Sequence, residues 1–245
     1  MRKWLSSPHS GGREIFGLAL LYALYEVVRG FGSEDFAAAF AHTDGIVALE
    51  RSLGLFWEQR VQAAAEAIPA VPAILGLAYV LLHFVGTAAA MVWVHRRRRD
   101  AFPIVRTTFI FSTALALVGY VLYPAAPPRL TPDLGFADTV SSSTGLNLSS
   151  DLLGSLYNPI AAVPSLHFGY ALIVGVAIAW LARTRTMRLI GAAYPAAMLL
   201  IIVATGNHFF FDAFAGGIVV VAGYRMARVL VRERDARPAA VAVPA

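Results

Sequence analysis

Long apolar segments constrain this chain more than any other feature of its sequence. A helix needs about 20 apolar residues to cross a bilayer, and within lipid only helices and closed barrels satisfy their backbone polar groups. Six apolar segments are separated by polar or basic turns: Ile15–Phe31, Ala73–Val94, Phe102–Tyr123, Leu166–Ala182, Leu189–Thr205 and Phe209–Val231. With 58% hydrophobic and 14% charged residues, the sequence predicts an all-α, polytopic membrane protein with six transmembrane helices.

These spans divide the chain into one membrane domain, residues 15–231, and two short ends. Residues 1–14 are predicted to be an uncleaved cytoplasmic tail, and residues 232–245 a disordered cytoplasmic tail. Residues 32–66 mix charges with Ala, Leu and Phe and contain no window of spanning length, which favours amphipathic helices lying along the interface. Residues 124–163, rich in Pro, Ser, Gly and Asp, are predicted to be an extracytoplasmic loop folded over a site.

The distribution of basic residues predicts the orientation of the spans. All but four of the 20 Lys and Arg residues lie on the side that includes both termini. The positive-inside rule therefore places both termini in the cytoplasm, in keeping with an even number of spans. The four on the other side are Arg29, Arg51, Arg60 and Arg129. Because topology accounts for the net charge of +5, nucleic acid is not a predicted partner, and the absence of cysteine excludes disulfides and thiolate metal sites.

Polar residues cluster at the predicted outer ends of the spans. The clusters are Pro127-Pro128-Arg129, Pro164-Ser165-Leu166-His167, and His208 with Asp212. The four-residue spacing of His208 and Asp212 places both on one helix face, and ionisable residues at the edge of an apolar segment usually serve a function. His167 and His208 begin spans that start on the same side, so their imidazoles can meet at one depth.

These residue types suit the transfer of a phosphoryl group. The Arg129 guanidinium, the Ser165 hydroxyl and the amino end of the fourth span would bind an anion. One histidine can attack phosphorus while a carboxylate orients its other nitrogen, and the second histidine can protonate the leaving oxygen. This scheme requires neither a metal nor another cofactor. A zinc site built from His167, His208 and Asp212 is the alternative that the ligand types allow, but Arg129 and Ser165 favour an anion.

The same motifs carry a family resemblance. Pro164-Ser165-Leu166-His167 and His208-x-x-x-Asp212, with Arg129 upstream, resemble the type 2 phosphatidic acid phosphatase superfamily. Leu166 within the second motif, together with Glu50-Arg51-x-Leu53-Gly54 and Tyr79-x-x-x-His83, is more similar to the inositol phosphorylceramide synthase branch and its bacterial relatives. The resemblance covers about residues 41–217.

The resemblance implies a role for each matching residue. His208 is expected to be the nucleophile, Asp212 its orienting partner and His167 the general acid, with Arg129 and Ser165 holding the phosphate. Two features of the commoner pattern are absent. No lysine precedes Arg129, since the matching stretch is Val121-Leu122-Tyr123, and a Ser-Arg pair is replaced by Ile201-Ile202. We expect Arg51 or Arg60, outer-side arginines of the interfacial segment, to supply part of the missing positive charge.

The predicted function is therefore that of a metal-independent membrane phosphotransferase or phosphatase in the plasma membrane, with its site on the extracytoplasmic face. The substrate is expected to be a phospholipid or other lipid phosphate, and the acceptor inositol, another polyol or water. Phosphatidic acid or polyprenyl pyrophosphate hydrolysis is the alternative. A non-enzymatic transporter or scaffold is the competing class, but transporters place polar residues near mid-membrane and often have repeated halves, and neither feature is present. His83 is predicted to donate a hydrogen bond between helices, and His42 to be solvated.

Overall fold

The regular structure of the described residues is helical. The computed structural model describes residues 35–145 and 158–236, with side chains up to residue 232. In chain order the helices are α1 Phe36–Ser52, α2 Glu58–Glu66, α3 Val71–Arg97, α4 Phe102–Leu122, α5 Thr139–Thr144, α6 Leu166–Leu181, α7 Arg185–Ala204 and α8 Phe210–Ala236. Helix α3 contains a π-helical turn, Leu82–Gly86. The prediction of an all-helical membrane protein is confirmed.

Four of these helices are long and apolar enough to cross a membrane: α3, α4, α7 and α8. Helix α6 is also apolar but has 16 residues, a rise of about 24 Å, which is shorter than the roughly 30 Å hydrocarbon core. The first predicted span, Ile15–Phe31, and the tail before it lie outside the described residues, so six spans remain a prediction.

The largest differences between predicted and observed boundaries are at α8 and α7. Helix α8 continues past Val231 through Ala236, so the predicted disordered tail begins with helix; the remainder, 237–245, is outside the described ranges. The change of composition to Arg and Glu indicates that the helix passes from lipid into water, and it does not end the helix, because both residues are good helix formers. Helix α7 begins at Arg185, earlier than the predicted Leu189, since Thr184 caps it by accepting from the Met187 amide at 3.3 Å.

The long helices present large apolar side chains outward. Among the most exposed are Ile74, Phe84, Leu122, Trp180 and Phe214. A surface of this kind is typical of a helix bundle that meets lipid. Between α4 and α5, by contrast, the chain is folded inward, and Ala125 and Ala126 are fully buried.

Helices α1 and α2, the predicted interfacial pair, bury three polar side chains. Glu50, Glu58 and Gln62 are buried, whereas Leu53 and Trp57 are exposed. Exposed large apolar residues next to exposed arginines suit the membrane interface. The buried Gln62 amide donates to Ala137 O at 2.9 Å and to Thr139 Oγ1 at 2.8 Å, and so fixes α2 to the loop that follows α4.

The two ends of that loop are paired, because Ala125 N donates to Ile160 O at 2.8 Å and Ala162 N donates to Ala125 O at 3.1 Å. His42 of α1 contacts the beginning of the loop. Its Nδ1 lies 2.8 Å from Pro124 O, and its ring stacks on Tyr123 with centroids 4.0 Å apart. The prediction that His42 is solvated was wrong, because this contact lies 82 positions away in the sequence.

One close helix approach joins the two histidine-bearing segments. Helix α8 packs against α4 and α6, and Gly216 of α8 lies so near the start of α6 that a Cβ there would overlap the Ser165 carbonyl. Small residues allow helix backbones in membranes to approach in this way. A hydrogen bond of 2.9 Å from Ser165 N to Asp212 O closes the contact. The beginnings of α6 and α8 are thereby fixed side by side.

The opposite end of the bundle carries the basic turns. Arg98, in the turn between α3 and α4, donates from Nε to Leu181 O at the end of α6, 2.6 Å away. The turn that joins α6 to α7 contains Arg183. These two basic turns thus lie together, at the other end of α6 from His167.

Candidate active site

His208 and Asp212 form a buried pair at the start of α8. His208 Nδ1 lies 3.1 Å from Asp212 Oδ2, and the same oxygen accepts the Phe209 amide at 2.9 Å. Asp212 is fully buried and His208 is 5% exposed. The carboxylate therefore holds one ring nitrogen and the backbone next to it, which leaves Nε2 as the nitrogen that can react.

His167 lies next to this pair. The His167 and His208 ring centroids are 5.6 Å apart, with the planes tilted by 51°. On α3, Tyr79 stacks on His167 with centroids 4.2 Å apart, and His83 stacks on it at 3.8 Å. The two imidazoles that the sequence analysis expected to meet thus lie next to each other.

The contacts of His83 differ from the prediction. Its buried Nδ1 has no hydrogen-bond partner in the described part of the chain, and its contacts are ring contacts, with His167 and with Tyr170 at 5.4 Å. His83 lies in the π-helical turn of α3, a distortion that is frequent at functional sites. A π-turn could not be read from helical periodicity, and the predicted interhelical hydrogen bond was wrong.

Arg129 is tied to the turn that precedes His208. Its backbone N–H donates to Gly206 O at 2.7 Å, and its Nε donates to Asn207 Oδ1 at 3.0 Å. Asn207 is itself held by Thr205, which accepts from Nδ2 at 3.0 Å through its hydroxyl. Although Arg129 and His208 are far apart in sequence, one hydrogen-bonded unit joins the buried guanidinium to the residue before the histidine.

Ser165 caps helix α6. Its Oγ accepts the Phe168 amide at 3.3 Å, as an N-cap serine does, and its hydroxyl proton is left to donate elsewhere. The amides of Leu166 and His167 have no acceptor among the residues described. The start of α6 therefore combines a hydroxyl donor, two open amides and the positive end of a helix dipole.

Two carboxyl groups near the site were not predicted as functional residues. Glu58 Oε1 accepts the Phe210 amide at 2.9 Å, and Glu50 Oε1 accepts the Phe211 amide at 2.7 Å. Glu50 is 3% exposed and Glu58 is 0% exposed. The available signal was that both carboxylates recur within an apolar segment, a pattern from which the sequence predicted amphipathic helices along the membrane interface.

The two glutamates also interact with each other. Burial, followed by a hydrogen bond with Glu58, raises the pKa of Glu50 from 4.5 to about 9, against the opposing effect of the Phe211 amide. Nearby negative charge on Glu58 and Asp212 contributes in the same direction. Near neutral pH, Glu50 therefore retains its proton beside an ionisable neighbour.

The predicted extra cations, Arg51 and Arg60, are both exposed and lie on aromatic rings. The Arg51 guanidinium is 4.8 Å from the centroid of Phe56, and that of Arg60 is 5.7 Å from Trp57. Phe56 in turn packs on Phe209, the residue after the histidine, with centroids 6.5 Å apart. Arg51 is therefore connected to the site through one ring, and its role in binding phosphate remains a prediction.

The zinc alternative would need His167, His208 and Asp212 to share one metal ion. Within residues 35–145 and 158–232, no group of three or more His, Asp or Glu side chains is placed to hold a metal ion. The described geometry gives a histidine bonded to a carboxylate, with a second histidine ring beside it.

Comparison with known proteins places this geometry in a family. A sequence profile of the PAP2 superfamily matches residues 44–226, which include every residue described at the candidate site. A phosphoinositol dihydroceramide synthase of Bacteroides thetaiotaomicron is 30% identical over 90 residues, covering 32% of this chain and 30% of the relative. No solved structure matches the chain.

The profile confirms the predicted resemblance to the superfamily, and the partial relative is a synthase of an inositol lipid by its name. They support a membrane lipid phosphatase or phosphotransferase, and the apolar helices are those of a multi-pass membrane protein. Because its profile covers most of the sequence, this chain belongs to the PAP2 superfamily.

Proposed function

We propose that the protein transfers a phosphate-linked group from a membrane lipid to a small polar acceptor through a phosphohistidine intermediate. The observation that carries the proposal is the 3.1 Å contact between His208 Nδ1 and Asp212, with the His167 ring 5.6 Å from that of His208. A histidine whose second nitrogen is held by a carboxylate is an oriented nucleophile. A neighbouring imidazole can serve as acid and then as base.

The reaction proceeds in two displacements at phosphorus. His208 Nε2 attacks phosphorus, the bond to the leaving alcohol oxygen breaks, and His167 gives that oxygen a proton. An acceptor hydroxyl then loses its proton to His167 and attacks, the phosphorus–nitrogen bond breaks, and both histidines return to their first state. Arg129, the Ser165 hydroxyl and the open amides of α6 stabilise the charge on the non-bridging oxygens.

The charges at the site favour a phosphodiester over a phosphomonoester. A phosphomonoester carries about −1.5 to −2 at neutral pH, whereas a diester carries a single negative charge. Arg129 is buried beside the nucleophile, while Arg51 and Arg60 are exposed and lie on aromatic rings. One buried guanidinium, bonded to the residue before His208, matches a singly charged substrate better than a doubly charged one.

The partial relative supports the same choice. Its name describes a synthase of a phosphoinositol lipid, and we propose that this chain transfers a phosphoinositol or similar polyol-phosphate headgroup. Its acceptor would then be the hydroxyl of a second lipid or of a polyol. Hydrolysis of phosphatidic acid or a polyprenyl pyrophosphate, with water as acceptor, is the second candidate, favoured by family membership alone.

An apolar groove supports a lipid substrate. It has a volume of about 560 Å³ and lies between α6, α7 and α8. Phe168 and Phe210 line one end, directly after His167 and close to His208, and Val221 lines the groove farther along α8. An acyl chain in this groove would place its phosphate at the histidines.

We further propose six spans, cytoplasmic termini and a site at the extracytoplasmic face of the plasma membrane. The contact between Arg98 and Leu181 supports this orientation because it gathers basic turns at the end of α6 away from His167. The positive-inside rule assigns that end to the cytoplasm. In variants that carry a single introduced cysteine, Ser142→Cys is then expected to react with a thiol reagent from outside the cell, and Arg183→Cys only after permeabilisation.

The decisive assay compares two lipids with purified protein in detergent. Phosphatidylinositol with a diacylglycerol, ceramide or polyol acceptor is expected to give headgroup transfer that His208→Ala abolishes while the protein still folds. Rapid release of phosphate from phosphatidic acid, without transfer from phosphatidylinositol, would instead establish the phosphatase. Unchanged biological function in a folded His208→Ala protein would indicate a transporter or scaffold.

A further inference from the structure

The first turn of α8 rests on three carboxyl groups from three separate helices. Each of the leading amides donates a hydrogen bond to one carboxyl group. The Phe209 amide donates to Asp212 at 2.9 Å, that of Phe210 to Glu58 at 2.9 Å, and that of Phe211 to Glu50 at 2.7 Å. The first amides of a helix have no partner within the helix. These carboxyls satisfy the amides that directly follow His208, and they place negative charge at the positive end of the helix dipole.

Glu50 and Glu58 are too enclosed to act on a substrate directly. Each is at most 3% exposed, and each already uses one oxygen to accept an α8 amide. They come from α1 and α2, so they fix the backbone beside the nucleophile to a pair of helices outside the long spans. A change at either glutamate would reach His208 through the backbone of Phe210 or Phe211.

The oxygens of Glu50 and Glu58 that do not bond α8 indicate how many protons the pair of carboxyl groups holds. Glu50 Oε2 and Glu58 Oε2 are both buried, and neither has a hydrogen-bond donor among the side chains and amides that the structure describes. The charges that face Glu50 are those of Glu58 on α2 and Asp212 on α8. Because three adjacent ionised carboxylates would repel one another, a single proton between the glutamates satisfies both oxygens and reduces the charge.

We propose that Glu50 and Glu58 are positioning residues for the phosphoryl-transfer step: they hold the first turn of α8, and with it His208, and they share one proton so that the pair carries one negative charge. This inference rests on the proposed function of His208 as the nucleophile. The backbone hydrogen bonds set the direction of attack. The remaining charge stabilises the positive imidazole that forms when His208 attacks phosphorus.

The inference predicts separate effects on kcat and KM. Displacing a catalytic group by about 1 Å can cost about 100-fold in rate. The glutamates accept from backbone amides of α8, whereas the lipid would be bound by the Arg129 guanidinium and by apolar side chains of the groove. Glu50→Ala and Glu58→Ala are therefore expected to lower kcat by about 100-fold. KM is expected to change by less than about threefold, because losing a contact that is made only at the transition state lowers kcat and leaves KM unchanged.

Glutamine variants separate position from charge. Glu50→Gln and Glu58→Gln each retain an oxygen for the α8 amide and one ionisable partner, so each is expected to keep kcat within about threefold, the size of a weak charge effect in a polar site. The double variant Glu50→Gln/Glu58→Gln retains both acceptors but loses the charge. Its kcat is expected to fall by about tenfold without a rise in KM.

Gln62→Ala is the matched control. Gln62 lies one turn from Glu58 on α2, is 2% exposed, and bonds the outer loop rather than α8. If Gln62→Ala lowers kcat as much as Glu58→Ala per folded molecule, the glutamates contribute only stability and the proposal is overturned. The proposal is also overturned if the two alanine variants keep full kcat, or if Glu50→Gln/Glu58→Gln keeps full kcat. If the alanine variants do not fold, the glutamine series decides alone.

A readout that needs no turnover keeps this test separate from the proposed function. In full-length protein labelled with ¹⁵N-histidine, the six histidines can be distinguished with single substitutions. The His208 ring signals are expected to be unchanged in Glu50→Gln and shifted in Glu50→Ala. Wild-type protein without transferase or phosphatase activity would refute the proposed function, yet these shifts would still test the positioning. An unshifted His208 signal in Glu50→Ala would overturn the inference itself.

Discussion

The two helices that carry the histidines begin in opposite ways. The amides of Phe209, Phe210 and Phe211 at the start of α8 each meet a carboxyl group, whereas α6 begins with Ser165 and leaves the amides of Leu166 and His167 open within the described structure. Both ends carry the same positive dipole. At α8 it is compensated, and at α6 it remains available for an anion.

This difference suggests how one site both binds a phosphate and attacks it. In our proposal the anion lies at the start of α6, near Arg129, and the nucleophile approaches from the start of α8. A nucleophile in line with the leaving oxygen must face the phosphate from the side opposite the leaving group. Because Gly216 and the Ser165–Asp212 hydrogen bond fix the two helix ends together, their relative position does not depend on the substrate.

The largest expected effect separates the two histidines. His208→Ala removes the nucleophile and is expected to lower kcat by about 10⁴-fold or more on every substrate. His167→Ala is expected to cost about 10² to 10⁴-fold on a lipid, but little on a nitrophenyl phosphodiester, whose leaving group needs no proton. Measuring kcat of both variants on both substrates checks this. Equal losses on the nitrophenyl ester would mean that the two helices do not divide nucleophile and acid between them.

A smaller loss is expected for the anion-binding side. Arg129→Lys keeps the charge but loses the planar fork that can bond Asn207 and a phosphate oxygen together, so kcat/KM is expected to fall by about 10 to 100-fold. Steady-state kinetics with the lipid substrate measure it. Arg51→Gln and Arg60→Gln serve as comparisons, and full activity in both would exclude an exposed arginine as the additional cation.

The contact that joins the two helix ends can be strained selectively. Gly216→Ala would force its Cβ against the Ser165 carbonyl, and overpacking of this kind costs about 1 to 3 kcal/mol. At the adjacent Gly217, a Cβ would meet only the Phe168 ring at 3.7 Å, an ordinary contact. We expect a lower melting temperature in detergent for Gly216→Ala than for Gly217→Ala. Equal melting temperatures would show that the two ends are not held by this approach.

The smallest effect concerns the proton on Glu50. Its pKa is raised from 4.5 to about 9 by burial and Glu58, so between these values the folded protein binds one proton more than the unfolded chain. The stability from this group is complete below the lower pKa and is lost as pH rises through the upper one. The melting temperature of the wild type is therefore expected to fall more steeply from about pH 6 to 9 than that of Glu50→Gln.

Glu66→Gln is the control for this measurement. Glu66 lies on the same helix as Glu58, but it is exposed and accepts a hydrogen bond from Thr139. The melting temperature of Glu66→Gln is expected to change with pH in parallel with that of the wild type. Parallel profiles for the wild type and Glu50→Gln would contradict a proton held by the glutamate pair.

The sequence was sufficient to predict the features that depend on local periodicity. Apolar length predicted helices α3, α4, α6, α7 and α8. The spacing of His208 and Asp212 predicted their contact, although His208 lies just before α8 rather than on its face. Their exact ends were less predictable, because caps such as Thr184 and the continuation of α8 to Ala236 do not follow from hydropathy.

Features that depend on distant contacts were not predictable. The amides bound by Glu58 and Glu50 lie 152 and 161 positions away, so in the sequence these glutamates resemble residues of a solvated helix face. The ring stack of His83 on His167 depends on a π-turn within α3. In both cases the tertiary partner, rather than the spacing of residues, decides what the side chain does.

The most direct test of the account is to capture the covalent intermediate. Protein mixed with radiolabelled phosphatidylinositol, quenched in alkali within one turnover and digested, is expected to yield a phosphate-linked adduct on the peptide that contains His208. The same peptide from Asp212→Asn is expected to carry much less. An adduct on another residue, or turnover by wild-type protein with His208 unmodified throughout, would contradict the central role of this histidine.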